Sequence, residues 1–196
     1  MKRFRKVLIV LLAILVPVSI GFGFNFFSGG SSDSAENQAM TVAGTLTINQ
    51  ISEAQNLVPG DKICNGVTMD ITSSAVSLLR VKVDIYCADS ETAETDIAPI
   101  KNAGDNWLKG SDGYYYYTQG VKNGDIVKLA EGGIYFNGIN DNVDMNKYQG
   151  EKIKVVANAE LVQAKHGVFA EKWGLSENKD GDIYTKLKKI SNDQGQ

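Results

Sequence analysis

From Leu79 to Cys87 apolar and polar side chains alternate without interruption: Leu79, Val81, Val83, Ile85 and Cys87 on one side, Arg80, Lys82, Asp84 and Tyr86 on the other. A helix would scatter these apolar residues around its circumference, whereas a strand gathers them on one face. This run therefore commits the centre of the chain to a β-sheet with one face in a core, and it predicts that the charged face meets water or a partner.

The same period recurs along the sequence. Val42, Gly44, Leu46 and Ile48 alternate with Thr41, Thr45, Thr47 and Asn49, and Ile63, Val67, Met69 and Ile71 form a second run. Between them Leu57-Val58-Pro59-Gly60-Asp61 reads as a turn, with proline presetting φ and glycine free to take a positive one. Tyr114 to Thr118, Asp125 to Leu129, Ile134 to Phe136 and Lys152 to Ala164 continue the series, separated by Asp-Gly, Asn-Gly and Gly-Gly punctuation. Short strands at this spacing predict an all-β sandwich. Only Ala93 to Leu108 and Phe169 to Leu175 read as short helices.

The two ends differ from this middle. Met1 to Lys6 is basic and Val7 to Phe27 is a run of 21 uncharged residues, the pattern of an export signal. Small residues suited to cleavage occur at Ser19-Ile20-Gly21, Gly21-Phe22-Gly23 and Ser28-Gly29-Gly30. A run of this length can equally span a bilayer as an anchor helix, its basic start held in the cytoplasm. Both readings place everything after Ser28 outside the cell. Residues 28–39 read as a flexible Gly/Ser and acidic linker, residues 40–175 as the folded domain, and residues 176–196 as a polar tail, a solvated extension or a short basic helix. Beyond residue 30 there remain 16 basic and 23 acidic side chains, a net charge of −7. That balance opposes the attraction to phosphate on which nucleic-acid binding depends, so no nucleic acid is expected as a partner.

Catalytic and metal-binding constellations are sparse. His166 is the only histidine, which removes the paired imidazoles of a zinc site, and no nucleophile elbow accompanies it. It reads as an exposed turn residue. Asn140, Asp141, Asn142 and Asp144, and again Asn178, Asp180 and Asp182, collect oxygen ligands without the spacing of a dedicated calcium loop. No catalytic residue, metal ligand or cofactor is therefore assigned. Gly113-Tyr114-Tyr115-Tyr116-Tyr117 is explained by a strand with two tyrosines inward and two outward, although an outer pair could also stack on a sugar.

Cys64 and Cys87 form an even pair in an exported segment, which favours a disulfide. A hairpin turning about Ala75-Val76 would set them opposite one another. Alternation puts Cys87 on the apolar face and Cys64 on the polar one, and a bulge at Asn65-Gly66 would reconcile the two. The alternative is two buried thiols acting as small hydrophobes.

Taken in order, these features resemble the TasA/camelysin family of exported bacterial matrix proteins. The resemblance is carried by Thr41-Val42-Ala43-Gly44, Leu57-Val58-Pro59-Gly60-Asp61, Leu79-Arg80-Val81-Lys82-Val83, Trp107 followed by Asp112-Gly113-Tyr114-Tyr115-Tyr116-Tyr117, Tyr148-Gln149-Gly150, Glu160-Leu161-Val162-Gln163-Ala164 and Trp173-Gly174. It spans about Met40 to Leu175. It implies a jelly-roll domain that self-associates into extracellular biofilm fibres, with an accessory matrix or anchoring protein as a further partner. It also implies donor-strand exchange, in which an N-terminal extension fills a groove of the next subunit. The donor falls at about Ser31 to Met40, with Ser31, Asp33, Ala35, Gln38, Ala39 and Met40 as its residues. The chain departs from the family at Gly23-Phe24-Asn25-Phe26-Phe27, where family signal peptides carry an alanine-containing motif. It also offers no residues for the protease activity once ascribed to camelysin.

The competing expectation is a membrane-anchored surface module that stays monomeric and binds or anchors fibres made by others. Residues 7–27 would then be its only contact with the membrane. A secreted, matrix or cell-surface location follows from either reading.

Overall fold

The computed structural model describes residues 22–23, 42–50, 57–87, 90–137, 148 and 151–194, with side chains from residue 57 onward. Two antiparallel sheets face each other. Sheet A runs β1 (Phe22–Gly23), β2 (Val42–Gln50), β3 (Lys62–Ser73) and β7 (Ile126–Leu129), with β8 (Ile134–Tyr135) also paired to β3. Sheet B runs β5 (Trp107–Lys109), β6 (Tyr115–Tyr117), β4 (Ser77–Cys87) and β9 (Ile153–Gln163). Two helices follow, α1 (Val168–Trp173) and α2 (Glu177–Asp193). The predicted strands are all present, and the fold is a mostly β, two-sheet sandwich with two helices.

The period-two pattern builds the core directly. Leu79, Val81, Val83, Ile85 and Cys87 point inward from β4, Ile153, Val155, Ala157, Ala159 and Leu161 from β9, and Ile63, Val67, Met69 and Ile71 from β3, all buried in one cluster. Sheet B is held by an unbroken ladder between β4 and β9, from Ser77↔Gln163 to Cys87↔Ile153. The Pro59-Gly60 turn forms as its residues require. Asp61 N–H donates to the Val58 carbonyl at 3.0 Å, and Gly60 sits at φ +97°, the left-handed value a type II turn asks of that position.

Three expectations need correction. The turn between β3 and β4 falls where expected, but these strands belong to opposite sheets, so residues 74–76 form an arch and not a hairpin. The Ser73 and Ser77 hydroxyls, 2.9 Å apart, and the Ala75 carbonyl fasten it. Ala93 to Leu108 is not a helix beyond one turn at Thr95–Ile97. Pro99 supplies no N–H, Asn102 Oδ1 accepts from the Gly104 amide at 3.0 Å, Gly104 lies at φ +107°, and the chain then enters β5. The tail is no solvated extension. Ile183, Leu187 and Ser191, four residues apart, bury one stripe of α2, and the folded unit continues to Asp193.

The N-terminal helix and the linker residues Ser31, Asp33, Ala35, Gln38, Ala39 and Met40 lie outside the described residues, apart from Phe22–Gly23, which is strand. Among the described residues no helix is long and apolar enough to cross a membrane.

Candidate functional site

Two regions bear on function: the face of sheet B that alternation assigned to water or a partner, and the free edges of the sheets. The first is covered at the end that holds Leu78 and Arg80, while Lys154 and Asn158 of β9 remain exposed. Leu78, Tyr116 and Val162 on the outer side of sheet B pack with Phe169, Trp173 and Leu175 of the α1 segment and with Ile183 and Leu187 of α2, forming a second hydrophobic cluster. Sequence reasoning missed this cover because α2 is mostly polar, yet the spacing of Ile183, Leu187 and Ile190 signals it. Burying Ile183 and Leu187 contributes about 1.5–3 kcal/mol each.

Arg80 sits under this cover. Its Nε and Nη2 donate to Glu160 Oε2 at 3.0 and 2.8 Å, and Nη1 donates to the Tyr116 hydroxyl at 3.2 Å and lies 3.6 Å from Asp112 Oδ2. Tyr116 donates onward to Asp112 Oδ2 at 2.6 Å, and Tyr114 donates to Glu160 Oε1 at 2.8 Å. The guanidinium lies 3.9 Å from the centre of the Tyr114 ring and 5.1 Å from that of Trp173, within cation–π range. Burial works against the Arg80 charge, but the hydrogen bonds to Tyr116 and Glu160 outweigh it and its pKa is raised. Burial, then the hydrogen bond to Asp112, pushes the Tyr116 phenol well above its ordinary value. Burial and the bond to Glu160 raise Tyr114 as well. Local sequence builds the arrangement: a side chain added at Gly110 would lie 2.5 Å from Asp112 Oδ1 and 2.8 Å from the Tyr116 ring, so glycine is what lets this loop close.

The tyrosine run thus divides as alternation predicts, but its outer pair is not presented to a sugar. Tyr115 and Tyr117 join the main core, while Tyr114 and Tyr116 lie beneath the helices. His166 is exposed in the turn before α1, at φ +65°. Asp180 accepts the Ser176 amide at 2.8 Å, capping α2. Among the described residues no group of three His, Cys, Asp or Glu side chains is placed to hold a metal ion. The loop holding Asn140, Asp141, Asn142 and Asp144 lies outside them.

Cys64 and Cys87 are both buried thiols of the main core. The expected bulge is present: two β2 steps, Ile48 to Gln50, face three β3 steps, Val67 to Cys64, so the alternation shifts at Asn65-Gly66 and Cys64 turns inward. The hairpin that would have set the cysteines side by side is absent. The arch puts them on facing sheets, Cys64 on β3 and Cys87 on β4. Burial raises the Cys64 thiol pKa.

The second region is the side of the sandwich where β2 lies over β9. β9 is paired with β4 along all its residues, and among the described residues no strand pairs with its other edge. On the β2 edge the chain's own N-terminal segment is added as β1, antiparallel, with Phe22 opposite Leu46 and Gly23 opposite Thr45. The rest of the outer edge of β2 has no strand partner among the described residues.

No protein-family model matches this chain, and no curated protein matches it.

Proposed function

We propose that this chain is an exported structural protein of the TasA/camelysin type, a jelly-roll domain that polymerises into extracellular fibres of a biofilm matrix or cell surface. The observation that carries the reading is β1: residues just upstream of the linker add to the open edge of sheet A as an antiparallel strand. An open edge of this kind is a template for any extended segment. Once the export signal is removed, the segment from about Ser31 to Met40 becomes the free end and serves the next copy in the same way. Such a contact runs head to tail and does not close on itself, so it propagates as a filament. The features behind the resemblance also sit where they shape the fold: the Pro59-Gly60 turn, β4, the Trp107 and Tyr114–Tyr117 hairpin, β9, and Trp173 against Arg80.

The test is deletion of residues 28–39 from the exported protein. The variant is expected to remain a folded monomer by circular dichroism and sedimentation and to form no filaments by electron microscopy. Filaments unchanged by the deletion would overturn the proposal.

A further inference from the structure

The two hydrophobic clusters are separate bodies. One fills the space between the sheets. The other lies outside sheet B and exists only because residues 168–190 fold back over Leu78, Tyr116 and Val162. The boundary between sandwich and helices is unusual in how its charges are arranged. Among the described residues, every hydrogen-bond and ion-pair partner of Arg80 belongs to the sandwich: Glu160 on β9, Tyr116 on β6, and Asp112 in the β5–β6 loop. The helical segment supplies only the Trp173 ring, stacked against the guanidinium. Lifting the helices therefore strands none of these charges, because the network beneath them is already paired.

The helical segment is likewise tied to itself. The Gly167 amide at the start of α1 donates to the buried Ser191 hydroxyl near the end of α2 at 2.8 Å, and the Leu175 amide donates to the Ala170 carbonyl at 2.9 Å. It joins the sandwich through one sharp corner, where His166 and Gly167 both sit at φ +65°. A non-glycine residue held there is strained, and the corner is where the chain leaves β9 to cross onto the outer face.

We infer that residues 165–193 are a detachable cap: a docked segment that leaves sheet B as a unit about the His166-Gly167 corner while the two-sheet sandwich stays folded. What it uncovers is an arginine ringed by Tyr114 and Tyr116 and flanked by Leu78 and Val162, a composition enriched at protein–protein contacts. The resident occupant of that face is the chain's own C-terminal segment. This inference does not depend on the fibre reading.

The test is native-state hydrogen exchange on the full chain at low denaturant, with Leu187→Ala and Val81→Ala as opposed variants. Local openings of this kind appear as sets of amides that exchange together at a free energy below global unfolding. In the wild type the amides of 168–193 are expected to exchange as one set, faster than those of β4 and β9. Leu187→Ala should speed that set at least tenfold and, because global unfolding of the native chain also undocks the cap, speed the β4 and β9 amides by no more than the same factor. Val81→Ala, in the main core, should speed β4 and β9 while leaving the opening of the cap at its wild-type rate. Helix and sandwich amides exchanging in a single step would overturn the inference. So would a Val81→Ala variant that speeds the cap amides as much as those of β4 and β9, or a Leu187→Ala variant that fails to fold.

Discussion

Replacing Arg80 with methionine tests the reading of the charged network most directly. The change keeps an unbranched apolar stem beneath Trp173 and removes the guanidinium, so Glu160 loses both donated bonds and Asp112 loses its counter-charge. Removing one partner of a buried pair generally costs about 3–5 kcal/mol, because the other charge is left uncompensated. Two features lower that figure. The Glu160 and Asp112 side chains are 19% and 31% exposed, and each keeps a tyrosine hydroxyl as donor. We expect Arg80→Met to destabilise the chain by about 2–3 kcal/mol, read as a lowered urea midpoint at constant m, or as a melting temperature about 5–10 °C lower for a domain of this size. The double variant Arg80→Met/Glu160→Met should recover most of the loss, since an apolar pair of similar volume replaces a buried ion pair at little cost. The cycle should then give a coupling of about 2 kcal/mol. An Arg80→Met variant within about 0.5 kcal/mol of wild type, a value ordinary for surface substitutions, would refute the reasoning. A double variant as unstable as the sum of the singles would do the same.

Tyr116 gives a pH dependence. Its folded pKa is raised above the ordinary value of 10.0, so its contribution is fully present below pH 10 and is lost as pH rises from there toward the folded value. Denaturation followed from pH 8 to 11 should show stability falling above pH 10, and Tyr116→Phe should flatten that limb; an unaltered limb would count against the assignment. Gly66→Ala should destabilise by about 2–4 kcal/mol, because its Cβ would lie 2.6 Å from the Ala130 carbonyl oxygen at φ +101°; a loss under 1 kcal/mol in urea unfolding would show that the bulge relaxes freely. For the cysteines, unfolding in denaturant with an alkylating agent and no reductant should label both Cys64 and Cys87. A mass two hydrogens short with no label added would instead reveal a bridge between the facing sheets.

The strands were legible because their signal is local: side-chain alternation on β4 and β9 reflects burial of one face whichever strand pairs alongside. Even the bulge at Asn65-Gly66 could be inferred, since Cys64 had to change face to join the core. Pairing is not local, and that is why an arch read as a hairpin. Nothing within residues 73–77 states whether β4 returns along β3 or crosses to the other sheet, and the choice is made by β9, whose ladder claims β4. The polar side of β4 misled for a related reason. Arg80 looks like a solvent residue until Glu160, Asp112 and two tyrosines from elsewhere in the chain gather around it. Helix α2 was obscured by its composition, with Gly181 near its start and three apolar residues, Ile183, Leu187 and Ile190, carrying the packing amid charged neighbours.

The arch also fixes the order of events as the chain folds. Because β4 turns away from β3, it pairs first with β6, 34 to 36 positions on, and its long ladder waits for β9, joining residues from 66 positions apart at Cys87↔Ile153 to 86 at Ser77↔Gln163. Contacts this distant in sequence slow folding, since the loop must close before any bond rewards it. A chain emerging from its N-terminus can form β3 early, but neither the full β4–β9 ladder nor the Arg80–Glu160 pair can exist until β9 has arrived. A partly emerged chain is therefore kept from premature closure by its topology, and the last fifth of the sequence, β9 with the two helices, completes both hydrophobic clusters in succession.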